Sequence, residues 1–379
     1  GTWAKIAREN GLKFGVSVHA THAWSWFEVA QGSDKTGPLA GVPYDGKLTK
    51  ADGKGKWWEG LDPQDLYAQN HLPGRQLSWD WKVSEGSSIP DAAYCENFFN
   101  RTMDLINKYS PDTIYYDDTI LPLNNVSDVG LKLVSSYYNS NLKLHDGQMQ
   151  AVVNTKGLNP EQRKCLVWDI ERGLSDAIQP DPWQTDTCIG QWHYDRSIYE
   201  HHAYKTPALV IGMLADIVSK NGNLLLSIPV RGDGSIDSDE VDFLHNMSQW
   251  MDINGQAIFA TRPFSVFGEG PPEAANDAKH AAGNFNEGKR RQLGARDIRF
   301  TTKGNILYAI VLGWPDDGKV AIRSLASDSP HYKSAIGNIE LLGSNAKLKW
   351  TRDANALVVN LPKEKPCDYA IALRISPEN

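Results

Sequence analysis

DAAYCENFFNRTMDLINKY (91–109) runs, after one serine, straight into PDTIYYDD (111–118). The first stretch sets Phe98, Met103, Leu105 and Ile106 at helical spacing; the second is a β-rich run that closes on two carboxylates. A helix feeding a short apolar strand is the repeating unit of a parallel α/β sheet. The unit recurs on both sides. Upstream, TWAKIAREN (2–10) predicts a helix with Trp3, Ile6 and Ala7 on one face and Gly11 as its stop, followed by a buried strand in LKFGVSVHA (12–20). Downstream come a helix over 128–143, a strand in QAVVNTK (150–156), and shorter strands in LVWDIERG (166–173) and TDTCIGQW (185–192). An amphipathic helix over 203–220 then leads into the apolar strand NGNLLLSIPV (221–230). A last helix lies within 237–259, opening on acidic residues that suit a helix N-terminus.

From about Pro263 the texture changes. RDIRFTTKG, NILYAIVLGW, KVAIRSLA, KLKWTRDA, ALVVNLP and DYAIALRI are short alternating runs separated by Gly, Asp, Asn and Pro, the pattern of an antiparallel sandwich. The expected architecture is therefore α/β: a (β/α)8-like barrel domain over 1–262, then a β-sandwich domain over 263–379. Five or six barrel strands are legible, not eight: either the barrel is open or its first strands lie upstream of residue 1, and the uncapped start favours the second.

Composition narrows the function. Hydrophobic residues are 41% and charged residues 22%, which supplies a core. With 39 Lys and Arg against 46 Asp and Glu the net charge is −7, and this excludes a nucleic-acid binder that works by neutralising phosphates. No apolar run approaches the ~18–20 residues of a membrane span. Four scattered cysteines (Cys95, Cys165, Cys188, Cys367) form no CxxC pair and read as buried free thiols. Thirteen Trp and fourteen Tyr offer faces for a sugar ring, although aromatic residues also fill cores.

Each expected strand ends in polar or aromatic residues (His19, Asp117, Asn154, Glu171, Trp192), where a (β/α)8 barrel carries its active site. A glycosidase needs one carboxylate at the anomeric carbon and another to protonate the leaving oxygen. Asp117, beside Tyr115 and Tyr116, and Glu171 are candidates; equally, Asp117 with Asp118 could only end a strand and Glu171 could be a surface ion-pair partner. Asp169 and Glu161 compete with Glu171. HATHAWSW (19–26) gathers His19, His22 and Trp24 into a polar-aromatic cluster suited to sugar hydroxyls and ring stacking, with no third ligand for a metal. RGDGSIDSDE (231–240) lacks the order of a calcium loop and reads as a turn into a helix cap. The long Gly/Asp/Lys-rich loop over 31–60 has the length of a functional segment.

PDTIYYDD, WQTDTCIGQWHYD (183–195), LADIVSKNGNLLLSIPVRGDGSID (214–237) and WMDINGQAIFATRP (250–263), in this order, closely resemble the family-29 glycoside hydrolases, the α-L-fucosidases. The resemblance covers about residues 1–263 and implies a distorted (β/α)8 barrel followed by a β-sandwich, retaining hydrolysis of terminal α-L-fucosyl units, and no cofactor. It implies Asp117 as the nucleophile and Tyr115 as an aromatic against the sugar. It implies Glu171, twelve residues before Trp183, as acid/base, with Glu161 in reserve. Lys156 replaces an arginine near the ring oxygen, or Arg172 supplies it. The family's paired histidines on an earlier strand are absent, and His19 and His22 are expected to take part of their duty. Trp24 and Tyr115 would line the ring and its C6 methyl. The implied partner is a fucosylated glycan, in a secreted, periplasmic or lysosome-like compartment. The alternatives are a non-catalytic carbohydrate-binding barrel and a retaining glycosidase for another sugar such as galactose.

Overall fold

The computed structural model describes residues 1–26, 32–42, 44, 48–63, 89–271, 282–289 and 291–378. It falls into two compact units, Gly1–Trp168 and Asp169–Asn379. Parts of the expected 31–60 loop and the side chain of Trp26 lie outside the described residues.

In the first unit α1 (Thr2–Glu9) leads to β1 (Gly15–Val18), α2 (Ala92–Tyr109) to β2 (Thr113–Thr119), and α3 (Val129–Leu144) to β3 (Val152–Lys156). The three strands are parallel and hydrogen-bonded in chain order. Local chemistry sets the helix ends. The Asp91 side chain accepts the Tyr94 N–H at 2.8 Å and caps α2. Ser110 ends it in the left-handed region, and Pro111 forbids a further turn. The buried stripe of α2 is Tyr94, Cys95, Phe98, Thr102 and Ile106, so Met103 and Leu105 are not its inner face. Helix α1 likewise buries Ala4, while Trp3 and Ile6 are exposed, contrary to the face read from their spacing.

β4 (Val167–Glu171) carries the chain into the second unit. There β5 (Trp183–Cys188) and β6 (Gly222–Ser227) pair in parallel, joined by α4 (Pro207–Ser219); α5 (Ser238–Asn254) follows β6. Thr206 caps α4, Pro207 opens it, and Asp237 with Glu240 forms a reciprocal capping box on α5. Leu225 stands exposed on β6, so that apolar strand is not buried on both faces. From Arg262 onward every strand is antiparallel. A five-stranded sheet runs in the order β11 (Ile336–Leu341), β14 (Ile371–Pro377), β9 (Ile306–Val311), β8 (Ile298–Lys303), β7 (Arg262–Glu269). A three-stranded sheet of β10 (Lys319–Ile322), β13 (Leu357–Asn360) and β12 (Lys349–Arg352) faces it. Phe300, Leu307, Val311 and Leu373 from the first sheet meet Val320, Ile322, Leu357 and Val359 from the second in one core. Of the cysteines, Cys95 and Cys188 are buried, whereas Cys165 is exposed and Cys367 half-buried, and all four are free.

α4 is less amphipathic than its sequence suggests. It buries Val210, Ile211, Met213, Ala215 and Ile217, and shares a core with Trp250 of α5 and with Tyr308, Ile310 and Ala372 of the large sheet. Inside this packing Asp216 accepts from Lys220 Nζ at 2.7 Å and from Arg299 Nε on β8 at 2.6 Å. Burial pushes the Asp216 carboxyl up, but Arg299 and Lys220 outweigh it and hold the pKa down at about 2. An unfolded aspartate titrates near ~3.9, so this depressed group stabilises the fold above about pH 4, and the contribution is lost as pH falls towards 2. Asp216→Asn takes the carboxylate charge away from the two buried cations that contact it. It should lower the unfolding free energy at pH 7 by about 3 kcal/mol and flatten its decline between about pH 4 and 2, read from urea midpoints at each pH.

Candidate active site

The side chains of β2 alternate: Tyr115 and Asp117 point to one face, Tyr116 and Asp118 are buried on the other. Between the pairs Tyr115↔Asn154 and Thr119↔Lys156, β2 advances four residues while β3 advances two. Such a bulge re-aims the side chains it carries. The Ile120 N–H donates to the Lys156 carbonyl at 2.7 Å and closes the bulge, with Ile120 itself held at a φ of 66°. The consequence is an ion pair. Lys156 Nζ, nearly buried, contacts Asp117 Oδ1, and His19 Nδ1 lies 3.0 Å from Asp117 Oδ2. His19 Nε2 is 2.9 Å from Ser17 Oγ, which suits an imidazole that donates to the carboxylate and accepts from the hydroxyl. The Tyr115 ring lies 5.8 Å from Lys156 Nζ and 6.4 Å from the His19 ring, and its hydroxyl is 3.5 Å from Asp117 Oδ1.

Burial alone would raise the Asp117 pKa. The His19 hydrogen bond and the Lys156 charge oppose it and win, holding the carboxyl well below the usual carboxylate range. The group is therefore an anion at any ordinary pH, about a quarter exposed, with a cation beneath it.

Four of the expected residues, His19, Tyr115, Asp117 and Lys156, come together here. Two do not. His22 is buried with its Nε2 3.5 Å from Asp118 Oδ1, on the reverse face of β2. Trp24 is buried edge-on against Tyr94, ring centroids 5.0 Å apart, and its backbone N–H donates to the Tyr94 hydroxyl at 3.1 Å. Among the competing acids, Glu161 is a surface partner of Lys164 at 2.6 Å. Asp169 is fully buried and accepts from Gln184 Nε2 at 2.8 Å.

Glu171 belongs to the second unit and closes β4 half-exposed. Its successor Arg172 is left-handed at φ 44° and donates from Nε to Glu287 Oε1 at 3.0 Å. Glu287 also accepts from Lys205 Nζ at 2.9 Å and from Thr187 Oγ1 at 2.8 Å. Burial raises its pKa, but these partners prevail and lower it. No motif in the sequence marked Glu287; it lies in a stretch without period, and only the fold brings it to Arg172. A cavity of about 930 Å³ in this unit is lined by Arg172, Lys205, Phe285 and Glu287 among others. No group of three or more His, Cys, Asp or Glu among the described residues could hold a metal ion.

Parallel strands whose C-terminal ends carry the polar groups, followed along the chain by an antiparallel sandwich, define the class of the barrel α/β proteins. The chain belongs to the alpha-L-fucosidase family: the family's model matches residues 1–256, and the model of the alpha-L-fucosidase C-terminal domain matches 293–376. It is 27% identical over 279 residues to the tissue alpha-L-fucosidase of Rattus norvegicus, covering 71% of this chain and 52% of the relative. To the alpha-L-fucosidase of Dictyostelium discoideum it is 22% identical over 388 residues, covering 97% and 74%. The chain thus spans about half the length of the mammalian relatives it matches. Its fold is similar to that of Thermotoga maritima alpha-fucosidase solved with a mechanism-based inhibitor (TM-score 0.62, 20% identity, 98% of this chain and 66% of that one). It also resembles a trapped covalent intermediate of a Bacteroides thetaiotaomicron family-29 alpha-L-fucosidase (TM-score 0.56, 17% identity, 99% and 81%). The likeness establishes a (β/α)8-like domain with a β-sandwich.

Lys156→Met should raise the Asp117 pKa by about 1–3 pH units, since a cation in contact is replaced by an apolar group of similar length. Carbon-13 carboxyl titration of labelled protein reads this directly. An unmoved resonance would mean that His19 alone holds the charge.

Proposed function

We propose that this chain is a retaining exo-glycosidase that removes terminal α-L-fucosyl units from glycans. Asp117 is the nucleophile and Glu171 the acid/base. One observation carries the reading: in an alpha-L-fucosidase family chain, the carboxylate at the end of β2 is kept ionised by His19 and Lys156 while remaining open to solvent. Asp117 attacks C1 of the fucosyl unit as Glu171 gives its proton to the departing oxygen. The products are a β-linked fucosyl ester on Asp117 and a free alcohol. Glu171, now a carboxylate, takes a proton from water, which attacks C1, releases Asp117 and restores the α-anomer. Tyr115 offers its ring to the sugar. Lys156 acts on the nucleophile's charge rather than as a substitute for the family's arginine at the ring oxygen. The catalytic domain is assigned to 1–262 and the sandwich to 263–379, and the partner is a fucosylated glycan. Among the described residues no helix is long and apolar enough to cross a membrane.

The two carboxylates differ in what azide makes of their loss. Asp117→Ala should reduce hydrolysis of an aryl α-L-fucoside by about 10⁴-fold or more, and added azide should attack the substrate itself to give β-fucosyl azide. Glu171→Ala should still form the ester, from which azide yields α-fucosyl azide. Proton NMR of the products distinguishes the anomers. The same anomer from both variants, or full activity in Asp117→Ala, would sink the assignment.

A further inference from the structure

The end of β4 is held by a segment more than a hundred residues away in sequence. The Glu171 N–H donates to Asn284 Oδ1 at 3.0 Å, and the Glu171 carbonyl accepts from the Phe285 N–H at 2.7 Å. The Arg172 carbonyl accepts from the Glu287 N–H at 3.0 Å while its guanidinium meets the Glu287 carboxylate. The Leu174 N–H donates to Asn286 Oδ1 at 2.9 Å, and Asn286 Nδ2 returns a bond to the Leu174 carbonyl at 3.2 Å. Leu174 and Gly283 also form an antiparallel bridge. From the other side the Thr185 hydroxyl sits 2.7 Å from the Ile170 carbonyl and 2.6 Å from that of Gly173. The approach is so close that a Cβ on Gly173 would stand 2.1 Å from the Gly283 carbonyl oxygen.

We propose that residues 283–287 form a strap that positions Glu171 for proton transfer, with Asn284 as the positioning residue at its tip. The proposal rests on Glu171 being the acid/base. Residue for residue, the strap spans Glu171 to Leu174 and satisfies backbone groups on both sides of a left-handed turn at Arg172, a conformation that costs about 1–3 kcal/mol unless its surroundings hold it. Two backbone bonds at Glu171 itself fix the direction of its Cα–Cβ bond. A displacement of the order of 1 Å at a catalytic group can cost about 10²-fold in rate. Asn284 is exposed, so its removal tests position rather than folding.

The test is the dependence of kcat/KM on the leaving group in the whole protein. Phenyl α-L-fucoside needs a proton to depart; 2-chloro-4-nitrophenyl α-L-fucoside scarcely does. Asn284→Ala should lower kcat/KM for the phenyl substrate by about 10- to 100-fold and for the activated one by no more than about threefold. Asn284→Asp, which keeps an acceptor oxygen in place, should recover most of the loss. Gly173→Ala, which pushes the strap away, should show the same split as Asn284→Ala. Glu171→Gln run alongside should show a larger one. Equal losses on both substrates, or none on either, with the split present in Glu171→Gln, would overturn the strap. Absence of the split in Glu171→Gln would overturn the acid/base assignment, and the strap's role with it.

Discussion

The contact between Lys156 and Asp117 is the constraint around which the candidate site is built. A lysine amine so nearly buried needs an anion within reach, because a charge removed from water and left unpaired costs several kcal/mol. Asp117 supplies that anion, and the β2 bulge brings it there. The pairing also decides what Asp117 can do. A carboxylate stabilised by a cation and a hydrogen bond is a weaker nucleophile than a free one and a better leaving group. Were Asp117 the nucleophile proposed above, that would favour release of the ester, and the first step would have to draw on proton donation from the acid/base.

How much of this could be read from the residues depends on range. Helix ends were legible because their determinants are local: Asp91 three residues from Tyr94, Asp237 three from Glu240. Tyr115 and Asp117 share the less buried face of β2, as the period of two along a strand dictates. Contacts that depend on register were not legible. Nothing in QAVVNTK says that Lys156 lies opposite Thr119, because the bulge removes two residues from the count. His22 and Trp24 looked like companions of His19, yet the chain turns after β1 and buries both, His22 against Asp118 and Trp24 against Tyr94. The face of α1 misled for a different reason. A short helix with four apolar residues has too little sequence to say which side is covered, and Ala4 is the residue that is.

Longer-range still, α4 reads as amphipathic but is enclosed on most sides, by α5 and by the large antiparallel sheet. A helix so enclosed cannot leave a charge unanswered, and the Asp216 partner on β8, eighty-three residues on, is invisible to any window of sequence. The same packing explains why the compact unit beginning at Asp169 contains β5, β6 and the sandwich together. Trp250 donates to the Ala370 carbonyl at 2.7 Å and Thr301 to that of Ala257 at 2.7 Å, so helix and sheet share both core and hydrogen bonds. The change of texture near Pro263 marks a change of strand direction, not a gap in the packing.

That continuity bears on the chemistry. The 283–287 segment lies between β7 and β8, two strands of the antiparallel sheet, and it returns to the end of a parallel strand. The 283–287 segment is therefore anchored at both faces of its turn rather than free. Its two Asn side chains satisfy backbone groups that a strand end otherwise leaves to water, and its Glu answers Arg172 and Lys205, two cations that would repel each other without it. A proton donor must keep its geometry through a reaction in which its own charge changes. In the role proposed for Glu171, a carboxyl whose backbone is bound on both sides would meet that requirement better than one on a loop, since the reorganisation cost is met when the chain folds rather than at each turnover.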